Sequence, residues 1–158
     1  MHRVRSDRTF IGTPNYRAQL SEAQRDAWEF MLILRAAAKA DPATSVFTTA
    51  KLRETTGGKV EYDDSHARDI QFELYVPALF ANAGFEITRG DPDSRLTHLG
   101  ESLGIEAKRA HSTNADTLRS AISEAARQIT GKVEASTIQV IRSRGFIAVN
   151  LDVYFRVH

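Results

Sequence analysis

Between Phe85 and Arg109 the chain has few conformations open to it. Phe85-Glu86-Ile87-Thr88-Arg89 alternates apolar and polar residues, the pattern of a half-buried strand. Gly90-Asp91-Pro92 interrupts it, and Arg95 to Leu99 resumes the extended pattern. Gly100-Glu101 turns the chain again, into Ser102 to Arg109, where Leu103 and Ile105 alternate with Gly104 and Glu106. Connections this short pair neighbouring strands antiparallel. The spacing therefore predicts three consecutive strands, and the rest of the chain must cover their faces.

The flanking segments read as helices. His66 to about Ala83 carries Ile70, Leu74, Pro77 and Ala81 in one row and Phe72, Val76, Leu79 and Phe80 in a broad apolar face. Pro77 is expected to kink or break this helix, and Gly84 to end it. After the strands, Ser112-Thr113-Asn114 is capping chemistry, followed by Leu118, Ala121, Ile122, Ala125, Ala126 and Ile129 at helical spacing. Val133 to Arg144 reads as further helix with a strand as the alternative, and Phe146 to Val153 as a buried strand. Upstream, a capping box at Ser21 and Gln24 opens a helix to about Ala40, stopped by Asp41-Pro42. Its Trp28, Met31 and Leu32 are expected to pack, and Thr49 to Arg53 to form a short helix with solvated Lys51 and Arg53. Residues 1–20 read as an N-terminal arm whose Arg3, Arg5 and Arg8 could touch a phosphate backbone, and 21–158 as a single α/β domain with its core at about 64–155. The abrupt end after the last strand suggests one domain of a longer protein.

Composition narrows the chemistry. The absence of cysteine excludes disulfides, thiolate nucleophiles and cysteine zinc sites, and fits a reducing, cytoplasmic setting. No apolar run is long enough for a membrane span. His66, His98 and His111 lack metal-ligand spacing. A formal net charge of +1 does not by itself announce a nucleic-acid binder. A local basic groove of Lys108, Arg109, His111, Arg119, Arg127 and Lys132 is nevertheless conceivable.

The candidate chemistry sits at the end of the third strand. Residues i and i+2 of a strand share a face, so Glu106 and Lys108 project together and Ala107 points away. If Asp93 stands at the start of the preceding strand, two carboxylates and an ammonium meet. Such a set suits a divalent cation with a basic group at its edge. Glu73 shares a helix face with Ile70, Val76 and Phe80, where a carboxylate is costly to bury unless paired or metal-bound.

Pro92-Asp93, Glu106 and Lys108 resemble the PD-(D/E)xK nuclease superfamily, which includes restriction enzymes, junction resolvases and defence nucleases. The resemblance covers roughly Asp64 to Phe155. It implies a restriction endonuclease-like αβββαβ core, a mixed sheet flanked by helices, here with a helical N-terminal addition. It implies Mg2+-dependent hydrolysis of DNA in restriction, anti-phage defence or repair, with Mn2+ as a substitute ion. Asp93 and Glu106 would be metal ligands, with the Ala107 carbonyl as a third and Glu73 assisting, while Lys108 would orient water or stabilise charge. Asp91 and Glu101 are alternatives for the first carboxylate. Gln128 stands on the helix where several branches place an active-site glutamine, but Lys132 replaces the tyrosine that follows it there. Dimers that cut both strands are common in the superfamily, so a homodimer is expected. The alternative function is a non-catalytic DNA-binding or assembly module on the same fold.

Overall fold

The computed structural model describes residues 14–55, 66–90, 93–110, 114–130 and 144–150. Elements occur in the order α1 (Pro14–Ala37), α2 (Thr49–Glu54), α3 (His66–Asn82), β1 (Glu86–Arg89), β2 (Ser94–His98), β3 (Glu101–Arg109), α4 (Ala115–Thr130) and β4 (Arg144–Asn150). The expected series of helix, three strands, helix, strand is present. The strands form one mixed sheet in the order β1-β2-β3-β4. The first three run antiparallel, and β4 lies parallel to β3. The arginines of the N-terminal arm, the segment 133–143, Asp91, His111 and Lys132 lie outside the described residues.

Helix α1 starts at Pro14, so the arm is helical from that point and Ser21 lies inside a helix. Proline breaks a helix interior but suits a first turn, where its missing N–H has no intrahelical acceptor to serve. The expected packing of Trp28 and Met31 also fails, since both are about half exposed. The stripe that packs is Ile33 and Ala36, rotated around the helix from Trp28 and Met31. These residues share a core with Ile70, Leu74 and Ala78 of α3. Three polar contacts tie α1 to α3: the Arg68 guanidinium grips the Asp26 carboxylate at 2.7 and 3.4 Å, Gln71 Nε2 donates to Glu29 at 2.9 Å, and Asn82 Nδ2 donates to the Leu32 carbonyl at 2.9 Å.

Helix α3 runs through Pro77, which is buried within it. Proline has no N–H for the carbonyl four residues earlier, which here belongs to Glu73. The helix ends in a Schellman motif: Phe85 N donates to Phe80 O and Gly84 N to Ala81 O, both at 3.1 Å. Gly84 takes the left-handed conformation this requires, with φ of 96°. The Phe80 and Phe85 rings close the motif edge to face at 6.1 Å.

The two faces of the sheet have different partners. Ile87, Leu96, Leu103, Ile105, Ala107 and Ala148 join the core under α1 and α3. The opposite face belongs to α4, which buries Ala125 and Ile129. Gly104 of β3 faces Gly145 of β4 there. A Cβ on Gly145 would stand 2.5 Å from the Gly104 carbonyl oxygen and 3.0 Å from Ile129 Cγ2, so the bare backbone is what lets α4 lie this close. Asn114 caps α4, its Oδ1 accepting from Asp116 N at 2.8 Å.

The β2–β3 hairpin turns on Leu99 and Gly100, both at positive φ (51° and 79°), as in a two-residue type I′ turn. Leu99 is 89% exposed, so it gains nothing by packing and bears the steric cost of the left-handed region. Leu99→Asn is expected to stabilise the protein by about 1 kcal/mol, a rise in Tm of roughly 2–4 °C by thermal melt.

Candidate active site

Strand β3 carries the site; it lies between β2 and β4, with α3 packed on one face and α4 on the other. Glu106 lies in its buried stretch. Alternation places Glu106 and Lys108 with Gly104 on the α4 face, and Ala107 with Ile105 in the opposite core. Glu106 is the most deeply buried charged side chain among the described residues, at 1% exposure. Lys108 Nζ lies 2.5 Å from Glu106 Oε1. The contact lacks hydrogen-bond geometry, and Oε1 is a buried oxygen with no hydrogen-bond partner.

The register places Asp93 beside them. Ser94 pairs with Ile105 in the antiparallel β2–β3 ladder, so Asp93, one residue earlier, falls opposite Glu106. Its Oδ2 accepts from Ala107 N at 2.9 Å, which ties it to the residue between Glu106 and Lys108. Glu101 opens β3 opposite His98 at the far end of the hairpin, some 17 Å from Glu106 at strand spacing. Of Asp93 and Glu101, the register brings Asp93 to the site and takes Glu101 away.

Glu73, on α3, is coupled to this cluster through its charge. Burial raises its pKa first and the Asp93 charge second, while Lys51 and Lys108 pull it down. Glu73 therefore feels both Asp93 and Lys108. The Glu106 pKa is raised chiefly by burial, with Asp93 adding to the rise and Lys108 opposing it. For Lys108, burial works to lower the pKa, but the Glu106 contact and the charges of Glu106, Asp93 and Glu124 outweigh it, and the net shift is upward.

Lys51 was expected to be solvated, yet its Nζ lies 3.3 Å from Glu73 Oε2. Thr48 caps α2 through a bond from Lys51 N at 3.2 Å, and Leu52 packs on the core. No local pattern reveals this pairing, because α2 and α3 meet only through tertiary packing. Gln128, in contrast, is exposed on α4 and forms no hydrogen bond to the cluster. The expected basic groove is also reduced. Arg109 points to the α3 face, where its Nη1 lies 3.7 Å from Asp69, and Arg119 pairs with Asp116 at 3.2 Å.

Among the described residues, no three carboxylate or imidazole side chains stand together in a way that could hold a metal ion. Two of the carboxylates are turned to lysines: Glu106 to Lys108 and Glu73 to Lys51. What remains is a two-carboxylate set, Asp93 and Glu106, with the Lys108 ammonium against Glu106 Oε1. Its donors are hard oxygens, which fits Mg2+, an ion that commonly takes one or two protein carboxylates and fills its other positions with water and phosphate. Among the described residues no helix is long and apolar enough to cross a membrane. No family model, curated protein or solved structure matches this chain, so its function is inferred from its own residues.

Proposed function

We propose that the chain is a metal-dependent deoxyribonuclease domain of the PD-(D/E)xK type, with a restriction endonuclease-like core. The observation that carries this reading is the buried Glu106 in ion-pair contact with Lys108, with Asp93 in register across the hairpin and bonded to Ala107 N. The element order from α3 to β4 supports it. A carboxylate buried this deeply is costly even beside a part-exposed lysine, unless it has a task.

Asp93 and Glu106 would hold Mg2+, or Mn2+ in its place, with the Ala107 carbonyl as a further oxygen donor and Glu73 adding negative charge nearby. When bound, such an ion polarises a phosphoryl oxygen and lowers the pKa of an attached water. The protein's own residues supply the rest. Ala107 N–H fixes the Asp93 carboxylate before any ligand arrives. Lys108 has a raised pKa and stays protonated at neutral pH, so it donates hydrogen bonds and stabilises charge building on the phosphate. It does not serve as the base. Two copies acting together would cut both strands of a duplex, in restriction, anti-phage defence or repair.

The test is incubation with supercoiled plasmid in Mg2+, in Mn2+ and in EDTA. Nicked or linear product is expected with either metal and none with the chelator. A second reading, a DNA-binding module without catalysis, is favoured by the lysines already engaged with Glu106 and Glu73. Retarded DNA with no cleavage in either metal would select it. Neither cleavage nor DNA binding would overturn both readings.

A further inference from the structure

We propose that Lys51 is a substrate-binding residue, a second cation of the site that contacts a backbone phosphate adjacent to the one cleaved, and that Glu73 holds it in place for that contact. This rests on reading the cluster as a phosphodiesterase site. Lys51 lies outside the residues that define the Asp-Glu-Lys motif and comes from a different element, the short helix α2.

Helix α2 is anchored from its first residues. Val46 and Phe47, just before it, are buried. Ser45, itself buried, accepts from Phe47 N at 2.9 Å. Thr48 caps the helix, and Leu52 packs against the core. These contacts leave α2 little freedom to rotate, and they aim Lys51 at α3. The ammonium then meets Glu73 at 3.3 Å and remains about one-third exposed. A lysine free in solvent loses considerable rotamer entropy when it binds a ligand; here that cost is already met within the folded protein.

Electrostatics gives the contact a purpose. Asp93 and Glu106, with Glu73 near enough to feel the Asp93 charge, make negative a site that must admit a polyanion. Lys108 contacts Glu106 and shares its charge with that carboxylate, although its side chain stays 30% exposed. Lys51 is a second, part-exposed cation, paired with Glu73, and Glu73 in turn feels Lys108 and Asp93. An ammonium shared between a carboxylate and open solvent can add a phosphate oxygen without giving up its partner, since it has three donors. A part-exposed ion pair contributes little to stability, so loss of Lys51 should alter binding and leave folding intact.

The experiment compares wild type, Lys51→Gln and Lys51→Arg in steady-state cleavage of a duplex oligonucleotide. The same three proteins are titrated with that duplex by fluorescence anisotropy in EDTA over a range of salt. Lys51→Gln is expected to raise KM roughly tenfold with kcat within about twofold, the loss of one charge-assisted hydrogen bond. The slope of log K against log salt should become shallower by about 0.9, the signature of one lost phosphate contact. Lys51→Arg should restore most of both. Unchanged KM and salt slope in Lys51→Gln, with wild type cleaving normally, would overturn the proposal while leaving the nuclease reading intact. A wild type that neither cleaves nor binds would remove the nuclease reading, and this proposal with it.

Discussion

Asp93→Asn, Glu106→Gln and Lys108→Met should each reduce metal-dependent cleavage by roughly a thousandfold or more, about 4 kcal/mol of transition-state stabilisation. The three are expected to behave alike because they form one unit. Asp93 and Glu106 face each other across the hairpin, and Lys108 contacts Glu106. Removing one charge changes what the other two face. Groups that act together in this way show non-additive losses, so the double variant Glu106→Gln/Lys108→Met should be scarcely worse than either single one. Gln128→Ala is the internal control. Gln128 is exposed on α4 and makes no hydrogen bond to the cluster, so its loss should leave cleavage within about twofold of wild type. The measurement is initial rate on supercoiled plasmid at saturating Mg2+, with circular dichroism confirming that each variant is folded. Full activity in Lys108→Met would sink the assignment of that lysine.

How far the sequence foretold this arrangement depends on the range of each interaction. Strand alternation alone placed Glu106 beside Lys108, because period-two geometry holds whatever surrounds the strand. Capping chemistry likewise marked Asn114 and Gly84, since each acts through its immediate neighbours. Asp93 was legible only as a conditional, because its position depends on the β2–β3 register, and that register is set by the Leu99-Gly100 turn. Lys51 and Glu73 are 22 residues apart and meet because α2 packs against α3, which no periodicity encodes. Arg109 was misread as groove-lining for a related reason. Alternation does put it on the face opposite Lys108, but its Asp69 partner emerges only when α3 covers that face. Trp28 and Met31 were assigned to packing because they repeat at helical spacing. The phase of the buried stripe is fixed by α3, not by the repeat.

Glu106→Gln should make the metal-free protein more stable at neutral pH while abolishing its activity. Burial raises the Glu106 pKa, and the Lys108 contact does not bring it back to the ordinary carboxylate range. The folded state thus binds this proton more tightly than the unfolded chain does. Stability from this group is greatest with the carboxyl protonated, and falls as pH rises through its raised folded pKa. Glu73 acts in the same direction. Lys108 contributes at the other end of the scale: with its pKa raised, its stabilisation holds through neutral pH and is lost only in alkali. Breaking a buried ion pair usually destabilises, because it strands the remaining charge. Here the side chain of Lys108 is 30% exposed against 2% for Glu106, so the lysine can turn to water and keeps Asp93 and Glu124 nearby. The balance favours the amide, by about 1 kcal/mol, as is common when a functional charge is removed, or a Tm rise of roughly 2–4 °C. Thermal melts between pH 5 and 8 should show the gap between variant and wild type narrowing as pH falls. Added Mg2+ should raise the wild-type Tm and leave the variant unmoved, because an ion that binds only the folded state stabilises only a protein that can hold it. A variant less stable than wild type at neutral pH would mean that the Lys108 contact outweighs the cost of burying Glu106. The buried carboxylate would then be part of the framework, and not a strained group kept for catalysis.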